Sequence, residues 1–196
     1  MAKRLLSRDK IVSEAFEMVE KNSLKEFSLR KLAAKLGVQV SSLYNYFSGE
    51  EDIMIEISLR AIDMFTDCID NAREGLTRDE AAFSTADAFR KFVQENSNLY
   101  EVIVTSKWTN APAAEYAAQK FLRPIYVLMS RYGVEDKAAQ THIFRAIRVV
   151  THGFCTLEVA GEFEQGDASA SESYHLMVQG VVDLMKKYGT KEEVIL

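Results

Sequence analysis

The stretch Ser28-Leu29-Arg30-Lys31-Leu32-Ala33-Ala34-Lys35-Leu36-Gly37-Val38-Gln39-Val40-Ser41-Ser42-Leu43-Tyr44-Asn45-Tyr46-Phe47 reads as two short amphipathic helices that meet at one glycine. Leu29, Leu32, Ala33 and Leu36 recur at helical spacing and give the first segment an apolar side. Ser28 precedes it, where a hydroxyl can accept from a free backbone N–H. Gly37 stands where the chain must reverse, and glycine enters the left-handed region without a Cβ clash. Val38 and Leu43 then cover the underside of the second segment, leaving Gln39, Val40, Ser41, Ser42, Tyr44 and Asn45 outward. Ala33 falls at the crossing, where a larger side chain would push the helices apart. This is the pattern of a helix-turn-helix whose second helix enters the DNA major groove.

The rest of the chain suits a helical protein. Only 2 prolines and 9 glycines in 196 residues favour long uninterrupted helices over a turn-rich all-β fold. No apolar run approaches the roughly 20 residues that span a bilayer, and the first residues lack the apolar core of a signal peptide. Cys68 and Cys155 follow no metal spacing and read as two buried thiols in a reducing cytoplasm. The net charge of -5 is unevenly divided. Residues 1–49 hold 9 Lys/Arg against 5 Asp/Glu, and residues 50–196 hold 15 against 24. A basic head on an acidic body places the favourable phosphate field at the helix-turn-helix.

Outward from the motif, a first helix is expected over about Ser7 to Lys21, with Phe27 tucked beneath the core. Glu50-Glu51-Asp52 opens a fourth helix, where the helix dipole favours carboxylates, and Ile55, Leu59, Ile62, Phe65 and Ile69 carry it to about Asn71. Thr77 is placed to cap the next helix. A short segment over Asn98–Lys107 and a helix over about Ala113–Tyr132 follow, the latter kinked or split in two by Pro124. Near the end, Ile143, Ile147, Val150, Phe154 and Leu157 are spaced 4, 3, 4 and 3, and Met177, Val181 and Leu184 are spaced 4 and 3. Such seams suit bundle packing at shallow angles. They predict a dimer interface of four helices shared by two subunits, or else packing inside one subunit. Gly153 and Gly180 inside these helices are costly unless close backbone approach needs them. The chain is thus read as all-α, with an N-terminal three-helix domain over residues 1–50 and a helical effector-binding and dimerisation domain over 51–196.

The run Leu36-Gly37-Val38, then Ser41-Ser42-Leu43-Tyr44-Asn45-Tyr46-Phe47, then Glu51-Asp52-Ile53 resembles the amino-terminal domain of the tetracycline-repressor (TetR) family. The Leu-Tyr-x-Tyr-Phe ending is its most specific part. More weakly, His152-Gly153-Phe154, Leu157-Glu158 and Glu172-Ser173-Tyr174 resemble a regulatory-domain subtype of that family with a His-Gly signature, although Ile147 and Arg148 stand where that pattern usually has tryptophan. The resemblance implies a homodimeric transcription regulator, most simply a repressor, that binds double-stranded operator DNA and is released by a small-molecule effector. It implies no cofactor, no metal and no membrane.

Base-edge and phosphate contacts need rigidly held polar side chains. Gln39 and Asn45 offer paired donors and acceptors, Ser41 and Ser42 hydroxyls, and Val40 an apolar contact to a thymine methyl. Arg30 can reach a phosphate or a guanine edge, and Tyr44 and Tyr46 are either phosphate donors or core. These positions commonly face DNA in the family, and with Ser28 they form the expected DNA-contacting set. The family usually carries a lysine where this chain has Glu50, so either binding is weakened or Lys3, Arg4, Arg8 and Lys10 compensate. The resemblance also implies an apolar effector pocket in the middle helices, for which Phe89, Phe92, Tyr100, Trp108, Tyr116, Phe121 and Tyr126 are the candidates. Signals for an enzyme are poor: His142, His152 and His175 form no metal motif, and no phosphate-binding loop occurs. The rival reading is a helical interaction module that keeps the fold without sequence-specific DNA binding.

Overall fold

The computed structural model describes residues 6–22, 24–107 and 111–190, and among them every regular element is a helix. The helices are α1 (Arg8–Lys21), α2 (Leu29–Leu36), α3 (Val40–Leu43), α4 (Glu50–Arg73), α5 (Arg78–Glu95), α6 (Ser97–Thr105), α7 (Ala111–Arg131), α8 (Lys137–Arg148), α9 (Phe154–Val159) and α10 (Ala170–Tyr188). A 3-10 turn, Leu24–Glu26, precedes α2, and a π turn, Val149–Gly153, joins α8 to α9. The chain divides into two compact units, the first within Met1–Asp63 and Asn96–Ala117, the second within Met64–Glu95 and Ala118–Leu196.

In the first unit α1 begins where Ser7 accepts from the Lys10 N–H at 3.2 Å, and it buries Ile11, Val12, Ala15 and Val19. Ser28 caps α2 in the same way, accepting from Lys31 N–H at 3.3 Å. Gly37 ends α2 at φ +68°, and the Gly37 and Val38 N–H groups close onto the Ala34 and Ala33 carbonyls. Leu32, Ala33, Leu43 and Phe47 are buried, as are the apolar residues of α1. The second helix of the motif is shorter than its pattern predicts: α3 is one turn, continued by hydrogen-bonded turn residues to Tyr46. Ser41, Ser42 and Asn45 are weak helix formers, which limits its extension. Two arginines cross-strap α1 and α4. Arg60 donates to Ser13 Oγ at 2.9 Å and pairs with Asp9, while Arg8 pairs with Glu56 and Asp52. Helix α6, with Leu99, Tyr100, Val102 and Ile103 buried, packs on α1 and the 3-10 turn, and Asn98 Nδ2 donates to the Glu20 carbonyl at 3.4 Å.

In the second unit Leu128, Met129, Tyr132, Val134, Ala139, Ile143, Ile147, Val181, Val182 and Met185 form one cluster with Ala82. Pro124 leaves α7 a single helix rather than two. A proline lacks the N–H that would bond the carbonyl four residues back, and here Thr66 Oγ1 donates to that Lys120 carbonyl at 3.4 Å. A capping box of Ser169 and Glu172 opens α10.

Within the single chain the residues of the expected subunit seam fall into two groups. Ile143, Ile147, Phe154 and Val181 are buried inside their own chain, and Val150 and Leu184 lie half-buried against the core cluster. The π turn inserts an extra residue into the helical run. Beyond Ile147 the inward positions therefore become Thr151, Cys155 and Glu158, where an unbroken 4-3 stripe would have used Val150, Phe154 and Leu157; Phe154 stays buried beside Cys155, while Leu157 turns out to 48% exposure. Met177 is likewise 48% exposed.

Candidate nucleic-acid interface

Helices α2 and α3 bury Leu32, Ala33 and Leu43, and most of their polar side chains remain outside. Arg30, Gln39, Ser41 and Asn45 are exposed, Tyr44 is 56% exposed, and Val40 and Ser42 are half-buried. Gln39 occupies the N-cap position of α3 but makes no capping bond, so its amide is not consumed by the helix end. Ser28 and Tyr46 are different. The Ser28 oxygen caps α2. The Tyr46 hydroxyl donates to the Leu6 carbonyl at 2.8 Å and fastens the chain entering α1. The Tyr46 hydroxyl is thus engaged within the chain, whereas the neighbouring Tyr44 ring projects from the surface.

Arg8 does not stand free as a compensating phosphate anchor. Its Nη1 donates to the Tyr46 carbonyl at 2.6 Å, its Nη2 to Glu56 at 2.7 Å, and its guanidinium lies 4.2 Å from the centre of the Phe47 ring. Lys3 and Arg4 lie outside the described residues. Glu50 is the exposed first residue of α4, where a carboxylate suits the positive end of the helix dipole. Sequence reasoning missed the internal role of Arg8, although one signal was present: a cation at the first position of a helix opposes the dipole and needs partners.

Phe89, Phe92 and Phe121 gather around Phe65, with ring centres 5.2, 5.3 and 5.1 Å away. Tyr100 and Tyr116 belong to the first unit, where Tyr100 is buried and the exposed Tyr116 bonds Asp63. Tyr126 is exposed, and Trp108 lies outside the described residues.

The His-Gly residues fall in the π turn, and the segment after them builds a polar knot. Arg90 Nε donates to Glu158 at 2.7 Å, and Gln94 donates to the same carboxylate at 3.0 Å. The Arg90 hydrogen bond is the main reason the Glu158 carboxyl is held below the usual glutamate range. The Arg90 guanidinium also lies 5.4 Å from the Tyr174 ring, and the Tyr174 hydroxyl donates to the Ala86 carbonyl at 2.8 Å. Burial pushes the Cys155 thiol up to about 12, which leaves it protonated and unreactive at neutral pH. Among the described residues no group of three or more potential ligands could hold a metal, and no helix is long and apolar enough to cross a membrane.

Comparison with known proteins agrees with this arrangement. Residues 11–57 match the family model of bacterial regulatory proteins of the tetR family, and residues 82–181 match that of the tetracyclin repressor-like C-terminal domain. An uncharacterised HTH-type transcriptional regulator of Mycobacterium tuberculosis is 27% identical over 173 residues, covering 84% of this chain and 76% of that one. YobS, an uncharacterised HTH-type regulator of Bacillus subtilis, is 26% identical over 160 residues, covering 82% and 83%. In fold the chain is similar to the crystal structure of PfmR, a TetR family transcriptional regulator of Thermus thermophilus, with TM-score 0.61, 18% identity and coverage of 96% and 99%. The polar outer face of α2 and α3 thus lies within the matched amino-terminal domain, and the chain belongs to the TetR family of transcriptional regulators, which are DNA-binding proteins and not enzymes.

Proposed function

We propose that this regulator is a repressor that binds a pseudo-palindromic operator as a homodimer and leaves it when a small apolar effector binds. The observation that carries the DNA reading is the sorting of the motif: Leu32, Ala33 and Leu43 inward, and Arg30, Gln39, Ser41, Tyr44 and Asn45 outward. Val40, Ser42 and Ser28 complete the contact set at its edge. Two such heads would occupy adjacent major grooves about 34–36 Å apart. Residues 1–50 would form the reading head and residues 51–196 the part that dimerises and responds.

Two observations support a dimer through the last helices. Val149, Leu157, Leu176 and Met177 are apolar and exposed, with Val149 at 72% and Leu176 at 75%. Among the described residues no atom lies within 4 Å of where a Cβ at Gly153 or Gly180 would stand, so none of them requires a glycine there. Close backbone approach by a second copy would. The interface residues proposed are thus Leu157 and Met177 from the original seam, with Val149 and Leu176. For the effector, the phenylalanines around Phe65 supply an apolar wall that a ligand could repack. The ligand shifts the equilibrium only by its preference between the DNA-bound and released states.

Selection of duplexes from a random pool by the purified protein, followed by footprinting, tests the reading. One enriched sequence with two half-sites a helical turn apart is the expected outcome. Weak binding without sequence preference would favour an interaction module, for which Glu50 in place of the usual lysine is the supporting observation.

A further inference from the structure

We propose that Arg8 is a positioning residue for DNA recognition: a single guanidinium fixes the exit of the recognition turn against the first two turns of α4. The peptide leaving that turn is held at consecutive points. The Tyr46 carbonyl accepts from Arg8 Nη1 at 2.6 Å, and the Ser48 N–H and hydroxyl donate to Asp52 Oδ2 at 3.1 and 3.4 Å. Arg8 joins these two anchors. Its Nη2 lies 3.5 Å from the other Asp52 oxygen, and its Nε and Nη2 donate to Glu56 Oε1 at 3.2 and 2.7 Å. The Phe47 ring packs beneath the guanidinium, and the Tyr46 hydroxyl closes the circuit on the Leu6 carbonyl two residues before Arg8. All three guanidinium nitrogens are engaged within the chain, and on this proposal Arg8 acts on the DNA through what it holds.

What it holds is the end of the segment that carries Tyr44 and Asn45. Loosening this end lets their side chains leave the register in which they meet base edges. The phosphate-dependent part of binding does not need that register. Lysine cannot take over, because an ammonium is a point charge that neither stacks flat on a ring nor presents donors in a fixed fork. A phosphate contact, by contrast, would be served well by lysine.

The inference rests on the operator reading, and the experiment separates the two. Full-length wild type, Arg8→Ala, Arg8→Lys and Glu56→Gln would be titrated with a duplex selected by the wild type from a random pool and with a scrambled duplex of equal length. Expected for both Arg8 variants is a loss of about tenfold or more on the selected duplex, of the size of one base mismatch. Binding to the scrambled duplex and the log affinity–log salt slope should be unchanged. Glu56→Gln, which keeps the side-chain shape and leaves α1 intact, should lose discrimination to a smaller degree. Rescue by lysine, with a slope reduced by about 0.9 per subunit in Arg8→Ala on both duplexes, would overturn the proposal in favour of a phosphate contact. A lowered melting temperature with full discrimination in the folded variants would reduce Arg8 to a structural role. A wild type that enriches no duplex would sink the operator reading and this inference with it, whereas retained discrimination in the variants sinks this inference alone.

Discussion

Arg73 Nη1 donates to the carbonyl of Pro124 at 3.2 Å, so the end of α4 braces α7 where a proline interrupts its hydrogen bonding. Asp70 pairs with Arg73 and, at 2.6 Å, with Arg123, while Thr66 reaches the carbonyl that Pro124 leaves unpaired. Pro124→Ala would return the missing N–H. A proline inside a helix is about 3 kcal/mol less favourable than alanine, and part of this is offset here by Thr66 and by the stiffer unfolded chain. A gain of about 1–2 kcal/mol is expected, read as a higher denaturation midpoint. A destabilised variant would show that α7 depends on the proline.

Glu158 and Arg90 should make stability depend on acid. The Glu158 carboxyl is held below its ordinary value, first by the Arg90 hydrogen bond, so its contribution is present above the unfolded pKa of about 4.3 and is lost as pH falls through the lower folded value. Glu158→Gln leaves Arg90 only partly satisfied. The cost at pH 7 is expected at about 2–3 kcal/mol, less than for a fully buried pair. Urea melts at pH 7 and pH 3 would check it: the two proteins should differ more at pH 7 than at pH 3. An equal gap at both pH values would remove the ion pair from the account.

Assembly is tested on residues exposed in the subunit. Leu176→Glu should leave the fold intact and weaken the dimer by at least about 100-fold, roughly 3 kcal/mol, as read by sedimentation at falling concentration. Phe154 is the wrong probe, because it is buried against Phe163 and Tyr174 and a carboxylate there would unfold the subunit. A Leu176→Glu dimer of unchanged affinity would move the interface elsewhere.

Tyr44→Ala and Arg30→Ala should each weaken binding to the selected duplex by about 1–3 kcal/mol if they touch bases, with unchanged circular dichroism. Both side chains are exposed and no core contact is lost. Wild-type affinity in band-shift titrations would take these positions out of the interface.

Glu50→Lys asks whether the start of α4 lies near a phosphate. One new contact per subunit would steepen the log affinity–log salt slope of a dimer by about 1.8, similarly on selected and scrambled DNA. If the slope does not move, Glu50 serves only the α4 dipole, and the variant should lose about 0.3–1 kcal/mol of stability.

The helix-turn-helix was legible in the order of residues alone. Gly37, the cap at Ser28 and the inward residues Leu32, Ala33 and Leu43 are local features, and 3.6-residue periodicity converts them directly into faces. The start of α1 at Ser7 and the acidic first turn of α4 could be read for the same reason. Relationships between distant positions came only with the folded chain. Arg8 meets residues 38–48 positions away, and its partners cannot be chosen by any local pattern. The docking of α6 on α1 brings together segments some 78 residues apart, beyond the reach of any periodic pattern. Near the carboxy terminus periodicity alone does not fix which positions turn inward. The 4-3 spacing from Ile143 to Leu157 assumes an unbroken α-helix, and the π turn at Val149–Gly153 brings Thr151 and Cys155 inward while Phe154 stays buried. That single inserted residue leaves Leu157 exposed and places Glu158 beside Arg90, a choice made by packing against α5 and α10 and not by the helix alone.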